Sequence, residues 1–285
     1  MSRVTTPLIR YSHLGLVRLS IFAHPDEAHK ERAFRSLQSL NYWTYWAHCD
    51  QPESGFYLTY ATPHQHLKEF RDHVLGLADF AKLDVVLTGD PFSLNSPHAD
   101  VAGLFQDPKS YTCDADESDL KILEQLEESP GRTSGEIAAR TGLLQADVRS
   151  HLNNCIQPRG LMVPRRSYHE HGEGEELWVL RASFSGQEGM AEFVNHLRKS
   201  RLTHTAVKAL AANELVVHFY LDDDGSEEHR RHLSHQPALS KIEWWRIDLS
   251  EYGKTYGAWT IRSHLFDGSV WASPLAVRHP VAASV

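Results

Sequence analysis

A chain of 285 residues, 41% hydrophobic and 23% charged, holds enough apolar material for two or three domains with cores of their own, which excludes a disordered protein. Its net charge of −8 excludes a general nucleic-acid coat, so any nucleic-acid contact has to come from a local basic face. No run of 18 apolar residues and no apolar leader with a small-residue cleavage site occurs, which predicts a cytoplasmic protein with no membrane partner.

Residues 13–22 (HLGLVRLSIF) alternate and then run apolar, as a strand does. Residues 27–40 place Ala28, Phe34, Leu37 and Leu40 near helical spacing. Two aromatic and β-branched runs, 42–48 (YWTYWAH) and 56–61 (FYLTYA), flank the turn-rich DQPESG and predict a hairpin. Residues 64–80 set Leu67, Phe70, Val74 and Leu77 on one helical face, and 83–87 (LDVVL) read as a closing strand. The order is βαββαβ, the ferredoxin-like unit. Residues 1–92 are therefore expected to form one domain, followed by an Asp-, Pro- and Ser-rich linker over 93–115.

The next module, 116–170, opens with 118–128 (SDLKILEQLEE), a helix carrying Leu120, Leu123 and Leu126. Thr133 is followed three residues later by Glu136, the spacing at which the two side chains cap a helix start reciprocally. Gly142 can close that helix in the left-handed conformation. A second helix over 144–156 puts Val148, Leu152 and Ile156 on one face and Gln145, Ala146, Arg149, Ser150 and Asn153 on the other. Helix, short turn and helix form the helix-turn-helix pattern, whose second helix enters a DNA major groove. Over 116–166 eight acids face seven bases, and the later bases gather at Arg149, Arg159, Arg165 and Arg166. Residues 161–168 (LMVPRRSY) follow as a strand.

The βαββαβ order then returns. Residues 177–184 read as a strand, 188–199 as a helix, 203–210 and 215–221 as a hairpin, 226–235 as a helix and 242–249 as a strand. Residues 259–266 and 269–277 are expected to form a further hairpin around Asp267-Gly268, completing a domain over 171–285. The fold class is α+β, with two ferredoxin-like domains flanking a winged helix-turn-helix.

SGEIAARTGL, VRSHL and RGLM resemble the winged helix-turn-helix of the Lrp/AsnC class of bacterial and archaeal regulators. In that class the module is followed by a connecting strand and a ferredoxin-like effector domain, as 161–168 and 177 onward are here. The additional effector-like domain before the helix-turn-helix departs from the class. The resemblance implies a transcriptional regulator that binds double-stranded DNA as a homodimer. Ser134, Gln145, Ala146, Arg149, Ser150 and Asn153 would meet DNA, with Arg159, Arg165 and Arg166 on phosphates. It also implies an amino-acid-like effector near the hairpin turns, with Gly55, Tyr57, Asn213 and Glu214 as candidates. Exposed sheet edges and the aromatic strands 42–46 and 243–246 offer surfaces for that dimer, although the two repeats of one chain could instead pair with each other.

Two alternatives belong to other classes. Siroheme decarboxylases resemble the same architecture, although none of their functional residues can be carried over; a protein-binding adaptor would suit the near-neutral module and Asp147. No catalytic residue, cofactor or metal is expected: P-loop, G-x-S-x-G, G-x-G-x-x-G and H-E-x-x-H are absent. His64 and His66, His169 and His171, and His229, His232 and His235 read as solvated histidines, and Asp222–Asp224 as a strand-end turn. Cys49, Cys113 and Cys155, with no C-x-x-C pair, read as buried small apolar residues.

Overall fold

The computed structural model describes residues 6–94, 101–129, 131–165, 175–199, 203–222, 226–248, 256–258 and 261–276. After a short strand β1 (Thr6–Ile9), the first βαββαβ unit runs β2 (Leu16–Pro25), α1 (Lys30–Gln38), β3 (Trp43–Gln51), β4 (Gly55–Pro63), α2 (Leu67–Leu75) and β5 (Phe80–Thr88). A one-turn helix α3 (Val101–Leu104) precedes α4 (Glu117–Glu128), α5 (Ser134–Thr141), α6 (Gln145–His151) and β6 (Met162–Arg165). The second unit is β7 (Glu175–Phe184), α7 (Gln187–Leu197), β8 (Thr203–Lys208), β9 (Glu214–Asp222), α8 (Ser226–Ser234) and β10 (Leu239–Ile247), and β11 (Tyr256–Ala258) pairs back onto β3. The architecture is α+β with two ferredoxin-like units around a winged helix-turn-helix.

The two units share one sheet, ordered β5-β2-β4-β3-β10-β7-β9-β8. β3 meets β10 at Gln51–Arg246 and Cys49–Ile247, and the far ends of the path meet at the Thr88–Ala209 bridge. Each junction joins the second strand of one unit to the fourth of the other, so the halves pair within a single chain as two subunits would across a twofold axis. Strands 42–46 and 243–246 thus lie in neighbouring strands of one molecule.

Period-2 alternation explains why strands this apolar are buried on both faces. In the first unit Leu19, Ile21, Phe56, Leu58 and Tyr60 pack under α1 and α2, which contribute Phe34, Leu37, Phe70 and Val74. In the second, Trp178, Leu180, Val217 and Phe219 pack under α7 with Met190, Phe193 and Leu197. The alternate positions Phe22, Tyr57, Val179, Val216 and Trp245 form a separate core where the two units face each other across the shared sheet.

Several expectations change. The helix expected over 64–80 stops at Leu75, where Gly76 caps it and β5 begins at Phe80. The supposed linker supplies core: Leu94 and Leu104 are buried in the second unit, and Phe92, just before it, bridges Ala206. Among the described residues the expected hairpin over 259–277 is reduced to one bridge, Phe266–Trp271, beside a single turn of 3-10 helix at Ser263–Leu265. That segment buries Ile261, Phe266 and Trp271 in the core of the helix-turn-helix instead. Of the three cysteines only Cys49 is buried; Cys113 and Cys155 are half-buried. His169, His171, Asp223 and Asp224 lie outside the described residues.

Candidate nucleic-acid interface

Both leading helices of the module are capped as their sequences dictate. Asp116 and Asp119 cap α4 reciprocally, the Asp119 amide donating to Asp116 Oδ1 at 2.8 Å. The Thr133 amide donates to Glu136 Oε2 at 2.7 Å and the Glu136 amide returns to Thr133 Oγ1 at 3.3 Å. Gly142, at φ 75°, closes α5 in the left-handed region that a side chain would disfavour. Leu144 starts α6 in an extended conformation without a side-chain cap and stands 71% exposed. The three helices bury Leu120, Leu123, Ile137, Val148 and Ile156 against one another.

The opposite face of α6 is open. Gln145, Ala146, Asp147, Arg149, Ser150 and Asn153 are exposed. Ser134 Oγ, at the start of α5, accepts hydrogen bonds from Gln145 Nε2 and Arg149 Nε, each at 3.2 Å, so three of the sequence-predicted residues converge at one point. The helix expected to continue regularly to Ile156 widens into a π-turn over Leu152–Ile156, which carries Asn153. Arg159 is engaged within the chain: its Nη1 donates to the Asp114 carbonyl at 2.6 Å and stands 3.8 Å from Asp119. β6, which ends at Arg165, pairs antiparallel with β1 to make the wing, from Thr6–Arg165 to Ile9–Met162. The Arg165 side chain and the whole of Arg166 lie outside the described residues.

Contacts far apart in sequence seat this module. The Tyr11 hydroxyl donates to Glu127 Oε1 at 2.8 Å and the Ile261 amide to Glu127 Oε2 at 2.9 Å. Burial pushes the Glu127 carboxyl up to about 7, against the pull of those two hydrogen bonds and of Arg18. Ser263 donates to Glu124, and Trp271 Nε1 to the Leu14 carbonyl at 2.7 Å. Aromatic residues in the C-terminal third were the only available signal for this strap, and aromatic content does not name a partner.

Three of the four candidate effector residues, Gly55, Tyr57 and Glu214, are linked through Trp245, Phe22 and Arg181 in a filled interior, and Asn213 stands apart from them. A Cβ at Gly55 would lie 2.7 Å from the Ala23 carbonyl oxygen and 3.0 Å from the Trp245 ring, so close packing requires glycine there. The Tyr57 ring lies 5.1 Å from that of Phe22, over which the Arg181 guanidinium sits at 5.3 Å. Arg181 holds Glu214 at 2.8 Å, Asp84 at 3.0 Å and Glu243 at 3.5 Å. Asn213 is exposed in the β8–β9 turn, its carbonyl accepting from the Phe184 amide at 2.8 Å.

The sequence profile of the bacterial regulatory proteins of the arsR family matches residues 116–154, the three helices of this module. No curated protein matches the chain in sequence. Among solved structures, the siroheme decarboxylase NirDL is similar at 12% identity over 87% of this chain and 76% of its own, with a TM-score of 0.55. The same enzyme in complex with an iron-uroporphyrin III analogue gives 11% identity, 86% and 75% coverage and a TM-score of 0.54. A transcriptional regulator of Neisseria meningitidis in complex with L-Met is 16% identical over 53% of this chain and 99% of its own, with a TM-score of 0.42. At such identities the likeness to NirDL is one of fold. Among the described residues no helix is long and apolar enough to cross a membrane.

Proposed function

We propose that the chain is a sequence-specific DNA-binding regulator of transcription. The observation that carries the reading is the exposed face of α6, where Gln145, Ala146, Arg149, Ser150 and Asn153 project from a helix whose other face is locked into the module by Val148. The arsR-family match over 116–154 supports it. Gln145 and Arg149 exchange their bonds to Ser134 for base edges, and Ser134 turns to a phosphate near the start of α5. Arg165, the last residue of the wing strand, and Arg166, next in sequence, hold the flanking phosphates. One such helix reads few base pairs, so two chains assemble on DNA to cover two half-sites. Genome-wide immunoprecipitation tests this: enriched sites sharing a motif support it, and a profile without enrichment contradicts it.

A bound amino acid is not part of this proposal, because the polar groups of Tyr57 and Glu214 are already engaged with His218 and Arg181. A second reading, a decarboxylase acting on a tetrapyrrole, draws on the fold likeness to NirDL across both halves. Tetrapyrrole binding without DNA binding would put that reading first.

A further inference from the structure

The module holds a cluster of metal-ligating side chains that DNA recognition does not use. Asp119, near the start of α4, is a carboxylate with no exposed surface. Its Oδ1 lies 2.8 Å from His151 Nδ1, and its Oδ2 accepts the Asp116 amide at 3.3 Å. His151 ends α6, and Cys155 follows four residues later within the π-turn. That wider turn leaves the thiol on the side of the imidazole and the carboxylate. One ligand atom from each of Asp119, His151 and Cys155 lies within 4.8 Å of the other two. Asp116 Oδ1 is 3.8 Å from His151 Nδ1 and offers a fourth donor atom.

We propose that Asp119, His151 and Cys155 bind a divalent transition-metal ion of the zinc class, which clamps the end of the recognition helix α6 to α4. One nitrogen, one sulfur and one carboxylate oxygen form the mixed donor set that suits Zn²⁺, whereas Mg²⁺ and Ca²⁺ require six or more oxygens. A tetrahedral ion with bonds of about 2.0–2.3 Å sets its ligand atoms roughly 3.4 Å apart. The Asp–His separation therefore opens slightly and the sulfur draws in, which are side-chain movements of the order of an ångström. The fourth position is left for water or Asp116. Binding converts the thiol to a metal-bound thiolate and releases its proton to solvent, so affinity rises with pH. Arg159 faces Oδ2, the oxygen away from the ion.

The test uses the untagged full-length chain, reduced and stripped with a chelator, titrated with Co²⁺ as the probe and then with Zn²⁺. One equivalent of Co²⁺ is expected to give a near-ultraviolet thiolate-to-metal band and the visible bands of a four-coordinate ion, both removed by Zn²⁺. Cys155→Ser abolishes the near-ultraviolet band and Cys113→Ser preserves it. His151→Gln weakens Co²⁺ by more than the roughly ten- to hundredfold typical of losing a group behind a ligand. Zn²⁺ raises the Tm of the wild-type chain but not of Cys155→Ser, a comparison made only if circular dichroism shows the variant folded. Absence of a band in the wild-type chain, or a band that survives Cys155→Ser, overturns the proposal and leaves an Asp–His hydrogen bond that binds no ion.

Discussion

The Tyr57 hydroxyl, from the first half of the chain, meets His218 Nε2, from the second, at 3.1 Å beside the core where the two units face each other. His218 Nδ1 lies 2.8 Å from Thr205 Oγ1, and burial raises the Tyr57 hydroxyl above its usual range, so it stays protonated. Tyr57→Phe keeps the ring and removes this bond between the halves. It is expected to cost about 1 kcal/mol in urea denaturation. An unchanged midpoint would mean that apolar packing alone holds the halves together there.

Gly55 separates a packing role from a ligand role. Because an added Cβ would lie 2.7 Å from the Ala23 carbonyl, Gly55→Ala has to move backbone between β2 and β4 and is expected to cost about 1–3 kcal/mol. Thermal unfolding reads this directly. A variant as stable as the parent would reopen the turn as a site kept open for a small molecule.

Much of this architecture was legible in the sequence, and the boundary is physical. Periodicity reports which residues share a face, so both βαββαβ orders, the Thr133–Glu136 cap and the Gly142 terminus were readable. It does not report which distant face covers them. β1 pairs with β6 more than 150 positions away, and Trp271 fills the helix-turn-helix core next to Tyr42; neither pairing has a local signature. The exposed α6 face followed from helical spacing. The engagement of Arg159 with Asp114 did not, because a carbonyl acceptor leaves no trace in composition. His151 and Cys155 at fourfold spacing were a visible half of a cluster, and their partner Asp119 is made a neighbour only by the fold.

Glu127 gives stability a pH dependence. Its carboxyl titrates near 7 in the folded chain and near 4.5 when unfolded, so the folded state holds the proton more tightly. The resulting stabilisation is complete below pH 4.5 and is lost as pH rises through 7, on the order of 3 kcal/mol across the window. Glu127→Gln keeps an acceptor for the Ile261 amide, turns its NH2 toward the Tyr11 hydroxyl oxygen and is expected to remove this slope. Denaturation at pH 5 and pH 8 compares the two chains, and parallel slopes would contradict the assignment.

Because the halves pair within one chain, folding does not need a second copy. The unfolding midpoint of the free protein is therefore expected to stay constant over a hundredfold dilution. A midpoint that falls on dilution would show that the fold depends on association between chains.

Whether α6 reads DNA is decided by selecting binding sites from random duplexes with the wild-type chain and measuring the affinity of Arg149→Ala for the selected site and for scrambled DNA over a range of salt. A reading helix gives a selected motif, a loss of about 1–3 kcal/mol on that motif for the variant, and nearly unchanged affinity for scrambled sequence. Failure to enrich any motif, or equal binding of both DNAs by wild-type and variant chains, would contradict it.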